Sequence, residues 1–156
     1  LTVTIVGPAL IKLGLMPLAA HLFVFYFAVL SAITPPVCIA AFTGAAIAQA
    51  PWIGVATVAL RLGLVAYFMP FIFAYDPALI MVGSPSQIAL AVASASLGAI
   101  TLGAAVMGYL NTKLATLTRV ILVPGAIMLF IPGWQTDLAG LGLIIVALLY
   151  NKTRGR

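Results

Sequence analysis

The sequence contains very few charged residues: only 6% of its 156 residues are Asp, Glu, Lys or Arg, and glutamate is absent. Soluble globular proteins carry about 25% charged and about 45–50% apolar residues. In this chain 65% of the residues are hydrophobic, and the mean hydropathy is +1.29. Such a composition cannot cover a surface that faces water. It excludes a soluble enzyme, a disordered tail and a nucleic-acid-binding domain, and it indicates an integral membrane protein in a lipid bilayer.

Cysteine and histidine are also scarce, because each occurs once, as Cys38 and His21. A single cysteine excludes an internal disulfide, and no Cys/His cluster has the spacing of a zinc site. We predict that Cys38 is a small packing residue and that His21 is structural rather than a proton relay. The sequence shows no Ser/His/Asp grouping, phosphate-binding glycine loop or carboxylate pair. We therefore expect neither enzymatic activity with a catalytic residue nor a bound cofactor.

The few charges lie at the edges of long apolar stretches. A bilayer core about 30 Å thick needs roughly 20 apolar residues per helix, so the chain has room for about four or five crossings. Under the positive-inside rule, loops rich in Lys and Arg face the cytoplasm. This places the C-terminus in the cytoplasm, with Lys12 as the exception. The cytoplasmic charges are then Arg61, Lys113, Arg119, Lys152, Arg154 and Arg156, and the external ones are Asp76 and Asp137.

Proline, glycine and charge divide the chain into four predicted regions. The chain begins at Leu1, inside an apolar stretch, so we expect it to be the C-terminal piece of a longer protein. We predict an all-α integral membrane protein with about five membrane segments, one of them a proline-broken helix. The regions are the end of a re-entrant hairpin (1–13), a broken transmembrane helix (14–50), an interfacial helix with two transmembrane helices (51–110) and a C-terminal extension with two short apolar helices (111–156).

Several boundaries inside these regions are also predicted. The first segment is expected to end near Gly7-Pro8, and the interfacial helix before Arg61. After the turn signal Gly83-Ser84-Pro85, Ser84 or Ser86 is expected to be the N-cap of the next span, whose small residues favour close helix packing. Those residues are Ala91, Ala95, Ala99 and Gly103, with Ser94 and Gly98 beside them. The apolar segments 120–131 and 138–150 are below the usual spanning length.

The stretch of sequence that carries chemistry is SAITPPV, residues 31–37. Proline lacks an N–H, so Pro35 leaves the Ser31 carbonyl without its helical partner, and Pro36 leaves that of Ala32 free. The residue before a proline also disfavours the α conformation, so the helix should unwind at Thr34. Irregular backbone at membrane depth is tolerated where it is buried in protein or lines a polar cavity.

These carbonyls, with the hydroxyls of Ser31 and Thr34, are oxygen ligands that suit an alkali cation such as Na⁺. A half-helix that begins near Pro36 would present its positive dipole end to an anionic substrate. Two alternatives stay open. The Pro-Pro pair could only kink the helix, or the break could be a gating hinge without a ligand.

The stretch PLAAHLFVFYFAVLSAITPPVCIAAFTGAAIA, followed by ALRLGLVAYFMPFIFAYDPALI, resembles the large membrane subunit of tripartite ATP-independent periplasmic (TRAP) transporters. It is most similar to the fused 4TM/12TM permeases that work with TAXI-type solute receptors. The resemblance covers nearly the whole chain and is strongest from Gly7 to Ile80.

The resemblance implies an inverted-repeat, elevator-type secondary transporter of the bacterial inner membrane. It would import an organic anion with Na⁺, from a periplasmic TAXI-type solute-binding protein, and would need the first repeat and the small-subunit helices of the permease. On the matching positions it implies Na⁺ ligands at Ser31 (through its main-chain carbonyl), Thr34 and Val37, and substrate contacts at Thr34, Pro35 and Pro36. The alternative from another class is a non-transporting membrane scaffold or assembly fragment held together by helix packing.

Overall fold

The computed structural model describes residues 2–154. This range contains α-helices and two short 3-10 helices but no β-strand, so the predicted all-α fold is confirmed. The helices are α1 (Thr2–Lys12), α2 (Pro17–Leu30), α3 (Ile39–Ala48), α4 (Trp52–Tyr75), α5 (Pro85–Met107), α6 (Thr116–Met128) and α7 (Trp134–Arg154). By length and composition α4, α5 and α7 are long and apolar enough to cross a membrane, and α2, α3 and α6 are shorter apolar helices.

Helix α1 continues through Gly7 and Pro8 to Lys12, so the end predicted near the Gly-Pro pair is wrong. The proline ring removes one backbone donor, but it holds φ near the helical value, and packing against α2 compensates. A Cβ atom on Gly7 would lie 3.2 Å from the imidazole ring of His21. His21 therefore packs over α1, in agreement with the structural role predicted for it.

Helix α4 runs without interruption through Arg61. The predicted boundary between an interfacial helix and a span that starts at residue 62 is therefore wrong. No proline stands between Trp52 and Pro70, and Arg and Leu are good helix formers, so nothing in this stretch stops the helix. Its 24 residues give a length of about 36 Å. Arg61 is exposed on this helix rather than placed at its start.

The described chain divides into two compact units, with the division between Ala74 and Tyr75. In the first unit, α2 and α4 are joined by aromatic side chains. Phe27 lies at the centre of this aromatic cluster, with ring centroids 5.0 Å from Phe23, 5.9 Å from Phe71 and 6.4 Å from Tyr67. Offset and edge-to-face ring pairs of this kind add about 0.5–1.5 kcal/mol each to the apolar packing.

The second unit contains α5, α6 and α7, and small residues set the distance between them. On α5, Ala95 and Gly98 are buried, and a Cβ atom on Gly98 would lie 2.7 Å from the Phe130 ring. The packing role predicted for this face is therefore confirmed. Ala99 and Gly103, which the four-residue spacing also placed on the face, are only half-buried.

Helices α6 and α7 approach each other most closely at two glycines. A Cβ atom on Gly140 would lie 2.8 Å from the Gly125 carbonyl oxygen and 3.1 Å from Leu129 Cγ. Helices in a bilayer gain no hydrophobic energy from association, so close backbone approach and van der Waals contact must hold them together. Gly125 and Gly140 supply that approach.

Two polar side chains, Arg119 and Asn151, form hydrogen bonds that stabilise the connection between α5 and α6. Arg119 donates to the carbonyl oxygens of Ala105 (2.7 Å) and Val106 (2.9 Å), which belong to the last turn of α5. Gly108 ends α5 in the left-handed region, with φ 74°. A cation at a helix C-terminus satisfies free carbonyls and complements the helix dipole.

Asn151 on α7 fastens the same connection from the other side, and it is 8% exposed. Its Oδ1 accepts hydrogen bonds from the Ala115 N–H (2.9 Å) and the Thr118 hydroxyl (3.3 Å). Its Nδ2 donates to Thr112 Oγ1 (3.4 Å) and to the Lys113 carbonyl (3.3 Å). One buried amide therefore joins α7 to the whole 112–118 segment.

Helix ends account for the remaining differences from the predicted segments. Ser84 forms a capping box with Gln87 at the start of α5, so of the two predicted N-caps Ser84 is confirmed and Ser86 is not. Helix α7 begins at Trp134 and includes Asp137 in its first turn. It is therefore longer than predicted, because its polar ends continue the helix beyond the apolar segment 138–150. Helix α6, with 13 residues, is short as predicted.

Candidate functional site

The predicted helix break lies where the sequence placed it. Helix α2 ends at Leu30 and is followed by one 3-10 turn, Ser31–Ile33. Thr34 is extended, with φ −102° and ψ 122°, and the Pro35-Pro36 peptide bond is cis. Helix α3 resumes at Ile39, three residues later than predicted, because the turn that contains the prolines takes up residues 35–37 and Cys38 precedes the helix. The proline-broken helix is therefore confirmed.

Backbone hydrogen bonds partly close the break. The Ser31 carbonyl accepts from the Thr34 N–H at 3.2 Å, and the Thr34 carbonyl accepts from the Cys38 N–H at 3.0 Å. The prediction that the Ser31 carbonyl is left without a partner is therefore wrong, since the 3-10 turn supplies one. That oxygen keeps a second lone pair. The Ala32 carbonyl accepts no hydrogen bond within residues 2–154, as the missing N–H of Pro36 predicted.

Both hydroxyls of the break donate their protons back to α2. Ser31 Oγ donates to the Ala28 carbonyl and Thr34 Oγ1 to the Leu30 carbonyl, each at 2.6 Å. Short-range bonds of this type are common for Ser and Thr at helix ends. A carbonyl can only accept, so each hydroxyl proton is directed toward the helix. The oxygen lone pairs of both residues are thereby turned away from it.

Tyr67 on α4 reaches the same hydroxyl, and the sequence analysis did not identify it. Its phenolic oxygen is hydrogen-bonded to Thr34 Oγ1. Both side chains are half-buried. A signal was present in the sequence, because Tyr67 and Tyr75 are the only polar side chains from residue 62 to residue 75. A tyrosine within an apolar helix usually needs a partner for its hydroxyl.

The other predicted site residues lie on the exposed side of the break. Pro35, Pro36 and Val37 are exposed, and the Val37 side chain is 50% accessible. They precede the N-terminus of α3, whose first N–H groups have no helical acceptor. Cys38 is fully buried against Ala41 and Ala56, so its predicted packing role is confirmed.

An apolar groove lies beside the break, between α2 and α4. It has a volume of about 250 Å³. Its lining residues are Phe25, Tyr26, Val29, Leu30 and Ala66. Four of these five side chains carry no polar atom, so the groove offers little to hold a carboxylate. The polar groups of the site are confined to the segment from Ser31 to Cys38 and to Tyr67.

No cluster of three or more His, Cys, Asp or Glu residues is present in the part of the chain that the structure describes. Residues 1–75, which include the break and α4, contain no carboxylate side chain, so the oxygens that this stretch offers to a cation are carbonyl and hydroxyl oxygens. Unwound backbone carbonyls in broken membrane helices are a common way to coordinate Na⁺. The arrangement of Ser31, Thr34 and the free Ala32 carbonyl has this chemistry.

The chain matches the protein family described as "Tripartite ATP-independent periplasmic transporter, DctM component" over residues 1–88. The match covers more than half of the chain and contains the helix break and Tyr67. No curated protein and no solved structure matches the chain significantly. The family predicted from the resemblance is thus confirmed. The protein belongs to the DctM family, the large permease component of TRAP transporters.

Proposed function

We propose that this chain takes part in Na⁺-driven import of an organic anion, a carboxylate, through the inner membrane. The observation that carries the proposal is the break in the helix, where hydroxyl and carbonyl oxygens meet in a stretch of chain, residues 1–75, that contains no carboxylate side chain. The chain belongs to a transporter family, and broken helices in transporters commonly form ion and substrate sites. A kink that only fitted α2 to its neighbours would not require two hydroxyls and an unpaired carbonyl at the same turn.

The ion site is proposed to consist of Ser31, Thr34 and Val37. Ser31 and Val37 would contribute main-chain carbonyls, and Thr34 its hydroxyl oxygen. The direction of the Thr34 proton toward α2 supports this assignment, because it leaves a lone pair of the oxygen available for a cation.

The substrate is proposed to bind at Thr34, Pro35 and Pro36, in front of α3. The exposed prolines leave this side of the break accessible. The positive dipole end of the ten-residue α3 would favour a carboxylate there. Cation and anion would then lie close together, which is a simple basis for coupling their transport.

The proposed partners follow from the family. A periplasmic TAXI-type solute-binding protein would deliver the anion, and the first repeat and the small-subunit helices of a fused permease would complete the site. Many large apolar side chains are exposed on α4, α5 and α7, for example Ile53, Leu90 and Ile145. These surfaces suit lipid or further membrane helices. The C-terminus is proposed to lie in the cytoplasm.

The test uses the permease that contains this chain, reconstituted in proteoliposomes with its binding protein. Uptake of a panel of small radiolabelled mono- and dicarboxylates is measured with an inward gradient of NaCl or of choline chloride. We expect uptake only with NaCl, and we expect Thr34→Val to raise the NaCl concentration for half-maximal uptake with normal membrane insertion. Unchanged Na⁺ dependence in Thr34→Val would remove Thr34 from the site.

A non-transporting membrane scaffold is the second candidate. The close approach of α6 and α7 at Gly125 and Gly140 favours it, because that packing needs no ligand. The two functions differ in one measurement. A scaffold would be stabilised equally by NaCl and by choline chloride, whereas a Na⁺ site gives extra thermal protection in NaCl alone.

A further inference from the structure

We propose that Tyr67 is a positioning residue for the ion site, which fixes the orientation of the Thr34 hydroxyl from the neighbouring helix. This inference rests on the proposed function, because it assigns Tyr67 a role at the same Na⁺ site. It concerns a residue 33 positions away from Thr34 in sequence, on α4 rather than on the broken helix. Tyr67 is not proposed as a Na⁺ ligand.

The direction of the hydrogen bond follows from the number of protons available. The Thr34 hydroxyl has one proton, and the Leu30 carbonyl can only accept. Thr34 Oγ1 lies 2.6 Å from that carbonyl, so its proton is used there. In the bond between the two hydroxyls, Tyr67 must therefore be the donor and Thr34 the acceptor. Thr34 Oγ1 then donates its proton to the Leu30 carbonyl and accepts the Tyr67 proton with one of its two lone pairs. One lone pair is left.

This arrangement holds the Thr34 hydroxyl group in one orientation, with its remaining lone pair in one direction. Without the phenol, rotation about the Thr34 side-chain bonds would exchange the two lone pairs and allow the proton to leave Leu30. With the phenol in place, two hydrogen bonds hold the hydroxyl in one orientation. A ligand that is already oriented loses less entropy when it binds a cation, so pre-organisation raises the affinity.

The position of Tyr67 is itself fixed by packing. Its ring lies 6.4 Å from that of Phe27, which also contacts Phe71 one turn further along α4. One turn earlier, a Cβ atom on Gly63 would lie 2.6 Å from Ile33 Cδ1. Gly63 and Tyr67 are four residues apart and share one helix face. Two successive turns of α4 therefore contact Ile33 and Thr34, so that α4 is held against the break.

The test measures thermal unfolding of the purified permease in detergent, with NaCl replaced stepwise by choline chloride at constant ionic strength. Protection by a bound ion follows RT ln(1 + [Na⁺]/Kd), so fitting it against NaCl concentration gives the concentration at which half of the sites are occupied, without any substrate. A neutral hydrogen bond contributes about 0.5–1.5 kcal/mol, so we expect Tyr67→Phe to raise this concentration roughly two- to tenfold. The matched control is Tyr26→Phe, because the Tyr26 hydroxyl has no hydrogen-bond partner within residues 2–154. We expect no change in that variant.

A double-mutant cycle separates positioning from a general loss of stability. In a Thr34→Val background, Tyr67→Phe should have no further effect, whereas in Thr34→Ser it should act as in the unmodified protein. A structural role alone would lower the unfolding midpoint equally at every NaCl concentration and leave the half-occupancy concentration unchanged. That result, or a Tyr67→Phe protein that fails to insert, would overturn the proposal.

The two proposals fail in different ways. If Thr34→Val shifts the NaCl concentration for half-occupancy and Tyr67→Phe does not, only the role of Tyr67 is refuted. If neither variant shifts it, the ion site at the break is refuted, and the role of Tyr67 with it.

Discussion

The approach of α6 and α7 predicts that two glycines on one helix respond differently to the same substitution. Gly140 and Gly142 both lie in the first half of α7. A Cβ atom on Gly140 would lie 2.8 Å from the Gly125 carbonyl oxygen, whereas one on Gly142 would meet nothing within 4 Å. Gly140→Ala therefore forces two backbones apart, and Gly142→Ala does not.

The magnitudes follow from two opposing effects. Alanine is about 1 kcal/mol more favourable than glycine inside a helix, and this gain is common to both variants. Overpacking a tight contact costs about 1–3 kcal/mol, and only Gly140→Ala incurs it, because a backbone carbonyl cannot rotate away as a side chain can. We therefore expect Gly142→Ala to stabilise the protein by about 1 kcal/mol. Gly140→Ala should be less stable than Gly142→Ala by about 1–3 kcal/mol.

The assay is thermal unfolding in detergent, followed by the helical circular dichroism signal. For a chain of this length, 1 kcal/mol corresponds to a shift of roughly 2–4 °C in Tm. The difference between the two variants isolates the contact, since helix propensity cancels. Equal Tm shifts in Gly140→Ala and Gly142→Ala would refute the close approach of α6 and α7. A double variant that behaves as the sum of the two would support their independence.

Two further predictions concern the second unit. Asn151→Leu removes four hydrogen bonds and leaves the Ala115 N–H unsatisfied, so it should destabilise the protein by roughly 2–4 kcal/mol. Proteolysis of the 108–116 segment should accelerate in this variant, and an unchanged cleavage rate would contradict the role of the side chain. A cysteine at the exposed Ser84 should react with an impermeant thiol reagent from the periplasmic side, while buried Cys38 stays unlabelled. Labelling of that cysteine only after membrane rupture would reverse the proposed orientation.

The features that sequence predicted correctly depend on short-range chemistry. The break follows from two consecutive prolines, and the α5 cap from the turn signal Gly83-Ser84-Pro85. The helix boundary predicted at Arg61 is wrong because a charged residue marks a possible contact with water but does not prevent helix formation. The charge pattern describes where a chain meets water, and helix continuity depends on backbone donors and sterics instead.

The contact between Tyr67 and Thr34 lay beyond such reasoning. It joins residues on two helices whose facing depends on the tertiary packing of α2 and α4. Sequence periodicity does not fix that rotation when almost every position of a helix is apolar, because no polar face distinguishes one side from another. The later start of α3 has a related cause, since the number of residues in a turn after Pro-Pro depends on its three-dimensional course.

Arg119 connects two properties of the chain that are usually studied separately. As a basic residue in the first turn of α6, it would contribute, in the proposed orientation, to the charge asymmetry that orients membrane proteins during insertion. Its guanidinium also holds the final carbonyls of α5. A charge-reversal experiment at Arg119 would therefore disturb the end of a helix and the insertion signal at once. The side chain of Lys113 is exposed in the connection between α5 and α6. Charge reversal at Lys113 would therefore change the insertion signal without removing the hydrogen bonds at the end of α5.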